Sequence, residues 1–88
     1  MNDKIFTPFR VKTLIYLLEN DQVYMEKIRR DLGMSPGGTI NKIIETFEKL
    51  KLTTKGKKIG RIKLIKLTKK GKRIALKLKE IVNELGGL

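Results

Sequence analysis

Between Lys55 and Lys79 the chain carries ten lysines, two arginines and no acidic residue. The remaining residues hold nine basic and nine acidic side chains, so the formal net charge of +12 resides in that one segment. Cations crowded in this way repel one another, and a polyanion relieves the repulsion. Lys55, Lys57 and Lys58 lie close to Gly56 and Gly60, with Arg61, Lys63 and Lys66 following. Lysines on an edge hairpin also discourage aggregation. That accounts for several of them but not for the absence of every acid, because a surface built for solubility mixes signs. Lys69, Lys70, Lys72 and Arg73 raise the same issue in another way. They occupy the first turns of a predicted helix, where the macrodipole disfavours cations by about 0.3–1 kcal/mol each at low salt. Phosphate binding accounts for that repeated cost; a general lysine bias is the alternative.

Other chemistries are restricted by what is missing. The 88 residues contain neither cysteine nor histidine. Disulfides, thiolate nucleophiles, imidazole bases and ordinary zinc sites are therefore excluded, and no metal or cofactor is expected. No pair of carboxylates is spaced for catalysis, so an enzyme is not expected. No apolar run approaches the ~20 residues of a membrane span, and no signal peptide is evident, so the expected location is cytoplasmic, with the nucleoid. The length predicts one domain over residues 1–88. Its apolar supply is chiefly eleven Ile and twelve Leu.

The elements that would position the basic segment can be read in order. Residues 1–6 form a lead-in. Thr7-Pro8 starts a helix, with Thr7 as N-cap and Val11, Leu14, Ile15 and Leu18 as its apolar stripe. Val23-Tyr24 is long enough for one strand pairing. A short helix follows over 25–32, closed by Gly33. The next helix is expected to use Ser35 as N-cap and Pro36 as its first residue, and to run to about Lys51. Ile40, Ile43, Ile44, Phe47 and Leu50 are its buried face. Residues 52–54 turn strand-like, 55–60 read as an exposed loop tip, and 61–67 read as the return strand of a hairpin. Alternation slips within that strand: Ile62 and Leu64 fall on one face, Ile65 and Leu67 on the other. A bulge would repair this, and so would a second buried face. Thr68 caps a final helix running to about Leu85, where Gly86-Gly87 stops it. The fold class is therefore α+β, mainly α.

Three stretches carry a resemblance: Met25-Glu-Lys-Ile-Arg-Arg-Asp-Leu-Gly33; Ser35 with the helix to Leu50; and Lys66-Leu-Thr-Lys-Lys-Gly-Lys-Arg-Ile74, with its Leu-Thr-x-x-Gly opening of the last helix. The sequence resembles winged helix-turn-helix regulators of the MarR, ArsR and PadR type, in particular small archaeal and archaeal-virus forms. The resemblance spans residues 7–85, and it departs from the pattern at Gly37-Gly38. It implies double-stranded DNA as partner, with the helix after Gly38 in the major groove and the hairpin, the wing, along the backbone or in the minor groove. The implied contacts are Ser35, Gly37, Gly38, Thr39, Asn41, Lys42 and Thr46 on the recognition helix, and Lys55, Lys57, Lys58, Arg61, Lys63, Lys69 and Lys70 beyond it. Arg61 is the expected minor-groove probe. At about 100° per residue, Gly38, Lys42, Glu45 and Lys49 lie opposite the Ile43/Ile44/Phe47 stripe, with Thr39, Asn41 and Thr46 beside them. Such a face can equally be the solvated side of a core helix.

Ile74, Leu78, Ile81 and Leu85 recur at helical spacing in the last helix, and the stripe outlasts what a small domain needs. A homodimer through this helix is expected, with no small-molecule ligand and no membrane partner. Three functions compete: a DNA-binding transcriptional regulator; a nonspecific architectural DNA-binding or RNA-binding protein, favoured by sixteen Lys against five Arg; and a protein-interaction module.

Overall fold

A computed structural model describes residues 6–87. The expected Met1–Ile5 part of the lead-in lies outside the described residues. Four helices and three strands follow in the order α1 (Pro8–Glu19), β1 (Val23–Tyr24), α2 (Met25–Asp31), α3 (Thr39–Lys49), β2 (Thr53–Ile59), β3 (Ile62–Leu67) and α4 (Lys69–Glu84). The strands form one antiparallel sheet in the order β1-β3-β2. The fold is α+β and mainly helical, as expected.

Local chemistry explains most of the boundaries. Thr7 caps α1 by accepting from the Arg10 amide at 3.4 Å, and Pro8 occupies the first turn where its missing N–H is no loss. Thr68 caps α4 in the same way, accepting from the Gly71 amide at 3.0 Å. Helices α2, α3 and α4 all end in the same pair of backbone hydrogen bonds. Met34 donates to Arg29 and Gly33 to Arg30; Leu52 to Phe47 and Lys51 to Glu48; Gly87 to Val82 and Gly86 to Asn83. This is the Schellman arrangement, whose pivot residue is left-handed. Gly33 and Gly86 supply the pivot at φ 71 and φ 83, but at the end of α3 the pivot is Lys51, at φ 60. A side chain there costs about 1–2 kcal/mol. Lys51→Gly is expected to raise stability by about 0.5–1 kcal/mol, after allowing for the looser unfolded chain. The midpoint of urea unfolding checks this, and a lowered midpoint would count against it.

The expected start of α3 is corrected. Ser35 does not cap the helix and Pro36 does not open it; the helix begins at Thr39, after Gly38. The cause lies in the backbone. Gly37 and Gly38 sit at φ 131 and φ 90, values a right-handed helix cannot contain. The expected loop tip is also corrected: Lys55 to Ile59 continue as strand, and the turn is the two residues Gly60-Arg61. Gly60, at φ 60, takes the first central position, where a type II′ hairpin turn requires a positive value.

The core collects Leu14 and Leu17 of α1, Ile28 of α2, Ile40, Ile43, Ile44 and Phe47 of α3, Leu52, Ile65 and Leu67 of the hairpin, and Ala75 of α4. Phe47, Leu14 and Ile28 are fully buried; each contributes about 1.5–3 kcal/mol through lost contact with water. In α1 the buried residues are Val11, Thr13, Leu14 and Leu17, whereas Ile15 and Leu18 are only half-buried. Buried Thr13 satisfies its hydroxyl by donating to the Phe9 carbonyl at 2.7 Å. Helices α1 and α2 are linked by the Tyr16 hydroxyl, which donates to Asp31. Burial, then that bond, pushes the Tyr16 phenol up to about 12. The same bond, with Lys27 beside it, holds the Asp31 carboxyl below its usual range.

Candidate nucleic-acid interface

The basic segment is distributed over a wing and the start of α4. In the wing, Lys58 pairs directly with Lys63 and Ile59 with Ile62, while Thr53, Thr54 and Lys55 pair with Leu67, Lys66 and Ile65. Like charges opposite one another weaken a hairpin. One residue more lies on β2 than on β3 between these two sets, so Gly56 and Lys57 together oppose Leu64. A bulge is therefore present, but on β2, so it does not repair the slipped alternation of β3: Ile62 stays exposed and Leu64 half-buried. Ile65 and Leu67 face the core, and Lys55, Lys57, Lys58, Arg61 and Lys63 are exposed. Among the described residues, only Lys79 of the twelve cations between Lys55 and Lys79 has a salt-bridge partner, Glu19 at 4.0 Å. The other ion pairs described, Lys27–Asp31, Arg29–Glu26 and Lys49–Glu45, lie elsewhere.

At the start of α4, Lys69, Lys70, Lys72 and Arg73 are exposed and no acid shares the first turn. Lys70 has a structural task as well: its ammonium donates to the Leu50 carbonyl at 3.2 Å, at the electronegative end of α3. This cluster therefore sits by the C-terminal end of α3. The eleven residues of α3 place Thr39 roughly 16 Å away, at 1.5 Å per residue.

The N-terminal end of α3 is a separate surface. Thr39, Asn41 and Lys42 are exposed in its first turn, and Ser35 and Gly37 are exposed in the loop before it. Gly38 is half-buried. A Cβ at Gly37 or Gly38 would meet nothing within 4 Å, so backbone angle and not crowding demands glycine there. Two such residues leave the first-turn amides uncovered, where an anion can approach them. Thr46 is placed less favourably. It is half-buried, and its hydroxyl donates to the Lys42 carbonyl at 2.9 Å.

The structure divides the expected dimer stripe. Ile74 and Leu78 pack against the chain's own core, whereas Ile81 and Leu85 are 52% and 77% exposed. Beside them an open cleft of about 310 Å³ is lined by Lys12, Ile15, Tyr16, Glu19, Leu32 and Val82. Among the described residues no His/Cys/Asp/Glu cluster could hold a metal, and no helix is long and apolar enough to cross a membrane.

Two features were not singled out in the sequence, and a third, Gly71, was marked there only as the end of the Leu-Thr-x-x-Gly motif. Ile59 and Ile62, at 62% and 51% exposure, flank Arg61 at the wing tip. Gln22 reaches the wing, accepting from the Lys57 amide at 2.9 Å. Gly71 is buried against Leu52. The Gly60 turn signal could have revealed the Ile pair; the other two contacts join residues distant in sequence.

No protein-family model matches the chain, and no curated protein matches it. Solved structures do. MepR, a transcription regulator of the Staphylococcus aureus multidrug efflux pump MepA, superposes with a TM-score of 0.81 at 25% identity, over 92% of this chain and 61% of MepR. AF1382 from Archaeoglobus fulgidus superposes at 0.78 with 30% identity, over 91% of this chain and 90% of its own. The PcaV transcriptional regulator of Streptomyces coelicolor, solved in complex with its natural ligand, superposes at 0.81 with 19% identity, over 92% of this chain and 58% of PcaV. The chain thus spans about 60% of the length of the MepR and PcaV chains. Element order, sheet order and these superpositions agree with the resemblance read from the sequence: the chain has the fold of the winged helix-turn-helix transcriptional regulators of the MarR type.

Proposed function

We propose that the chain is a DNA-binding transcriptional regulator that acts as a homodimer, with α3 in the major groove and the β2–β3 wing on the backbone and in the minor groove. One observation carries this reading. The wing and the start of α4 hold ten cations with no acid paired to them among the described residues, and Lys58 lies opposite Lys63. A fold selected for stability alone would separate those lysines or pair them with acids. A row of phosphates makes the arrangement favourable.

In this reading the charge supplies affinity and orientation, and sequence is read elsewhere. Thr39, Asn41 and Lys42 begin α3, the part of a recognition helix that contacts base edges. Arg61 enters the minor groove from the Gly60 turn, with Lys55, Lys57, Lys58 and Lys63 on phosphates. Ile81 and Leu85 of α4, left exposed by the fold, join the two protomers. Two-fold symmetry then sets half-sites about 34 Å apart.

Selection from a random pool of duplex DNA tests this directly. An enriched inverted repeat with half-sites one helical turn apart is the expected result. Binding without enrichment would point instead to the architectural reading, which the sixteen lysines and the glycine-led start of α3 favour. A single unrepeated site, or a monomer by light scattering at working concentration, would remove the dimer.

A further inference from the structure

We infer that Gln22 is a positioning residue for the wing: its side-chain carbonyl latches the β2 bulge and sets the angle at which the hairpin meets DNA. The inference rests on the DNA-binding reading above and extends it to a residue that is not itself among the proposed DNA contacts.

A bulge leaves the extra residue of its strand without a ladder partner and gives the strand a place to bend. Here the extra residue falls at Gly56-Lys57, between the paired base of the wing at Lys55↔Ile65 and its paired tip at Lys58↔Lys63. Every wing residue proposed to touch DNA except Lys55 lies at or beyond that point. The bend is not left open, because Gln22 Oε1 accepts from the Lys57 amide at 2.9 Å. Gln22 immediately precedes β1, at one edge of the sheet, whereas the bulge is on β2, at the other edge. The bond therefore ties the wing's flexible point to the helical body through a route independent of the β2–β3 ladder.

Gly56 completes the device. A Cβ there would stand 2.2 Å from Gln22 Oε1 and 3.0 Å from its Cδ, so the side chain reaches Lys57 only because residue 56 has none. Gly56 is not among the residues with positive φ, so its backbone would accept alanine. Contact with Gln22, and not conformation, is what calls for glycine at this position.

This gives two independent ways to open the latch. Gln22→Met keeps the length of the side chain and removes the acceptor. Gly56→Ala leaves Gln22 in place and pushes it off Lys57. Binding of a mixed-sequence DNA duplex is measured at fixed low salt for the wild type, both single variants and the double variant, together with thermal melting and amide exchange at Lys57. Each single variant is expected to expose the Lys57 amide, to lower the melting temperature by no more than about 10 °C so that the domain stays folded at the assay temperature, and to weaken binding roughly three- to tenfold, the range of one neutral hydrogen bond. The double variant is expected to bind no more weakly than either single one, because both changes open the same bond. Wild-type affinity in a variant whose Lys57 amide exchanges freely would overturn the latch while leaving the DNA reading intact. Additive losses in the double variant would also overturn it. A wild type that binds no DNA would overturn both.

Discussion

Raising the salt concentration from about 50 to about 200 mM should weaken DNA binding by roughly three orders of magnitude per chain. Five lysines, Lys55, Lys57, Lys58, Lys63 and Lys69, contact phosphates in this reading. Each contact releases counterions from the duplex, giving a log–log slope of about −0.9 per contact and hence roughly −5 in all. Fluorescence anisotropy titrations across a salt series measure this slope. Replacing Lys58 and Lys63 with glutamine should reduce the slope by about 2, yet should not destabilise the protein, because each lysine faces a like charge across the hairpin. Weaker binding with unchanged or higher stability separates a binding role from a structural one. A flat salt response would sink the nucleic-acid reading and favour a protein-interaction module, whose contacts do not depend on counterion release.

Gly71→Ala should be the most damaging small substitution in the chain. A Cβ at position 71 would lie 1.9 Å from the Leu52 carbonyl oxygen, 2.9 Å from its carbon and 3.1 Å from Leu67 Cδ2. The obstacle is backbone, and it is fixed from both sides. The Leu52 amide donates to Phe47 at 2.8 Å in the cap of α3, and its carbonyl accepts from the Thr68 amide at 3.0 Å and from the Thr68 hydroxyl at 3.2 Å. Relief requires α4 to move away from the base of the wing, which would break the N-cap bond from Gly71 to Thr68 and part the Lys70–Leu50 contact. Overpacking of this kind costs about 3 kcal/mol or more, a large share of the ~5–15 kcal/mol that holds a small domain folded. The melting temperature should fall by roughly 10–25 °C. A loss under about 1 kcal/mol would show that α4 can shift freely, and the rigid junction described here would have to be abandoned.

That junction explains the physical content of the Leu-Thr-x-x-Gly stretch that marked the start of α4. Leu67 is buried in the core, Thr68 caps the helix and binds the Leu52 carbonyl, and Gly71 lets the helix lie directly on it. The motif is visible in the sequence, but its purpose is not, because Leu52 lies on the far side of the hairpin. The same limit applies at Gln22, whose partner at Lys57 is 35 residues away. It applies also to the dimer stripe. Periodicity marks Ile74, Leu78, Ile81 and Leu85 alike, and only packing separates the first two, turned to the core, from the exposed pair.

The errors of sequence reading have local causes of their own. Ser35-Pro36 has the form of a helix start, a cap oxygen followed by a residue of preset φ. Gly37-Gly38 cancels it, because two consecutive residues at positive φ place the chain outside the helical region before Thr39. In the wing, the glycine and lysines of 55–59 suggest a loop by composition, yet the turn forms where Gly60 permits the tight type II′ geometry, and the strand extends to meet it.

The sequence alone determined the order of the elements, the N-caps at Thr7 and Thr68, the left-handed pivot at Gly33, the apolar face of α3 and the concentration of charge in one segment. Each of these depends on residues within a turn or two of one another, where propensity, capping and periodicity act directly. Tertiary structure decided which side of the bulge the wing cations face, which part of the α4 stripe stays exposed, and why Gly56 and Gly71 must lack a side chain. Those outcomes depend on contacts between residues far apart in the chain, and a pattern of nearest neighbours does not encode them.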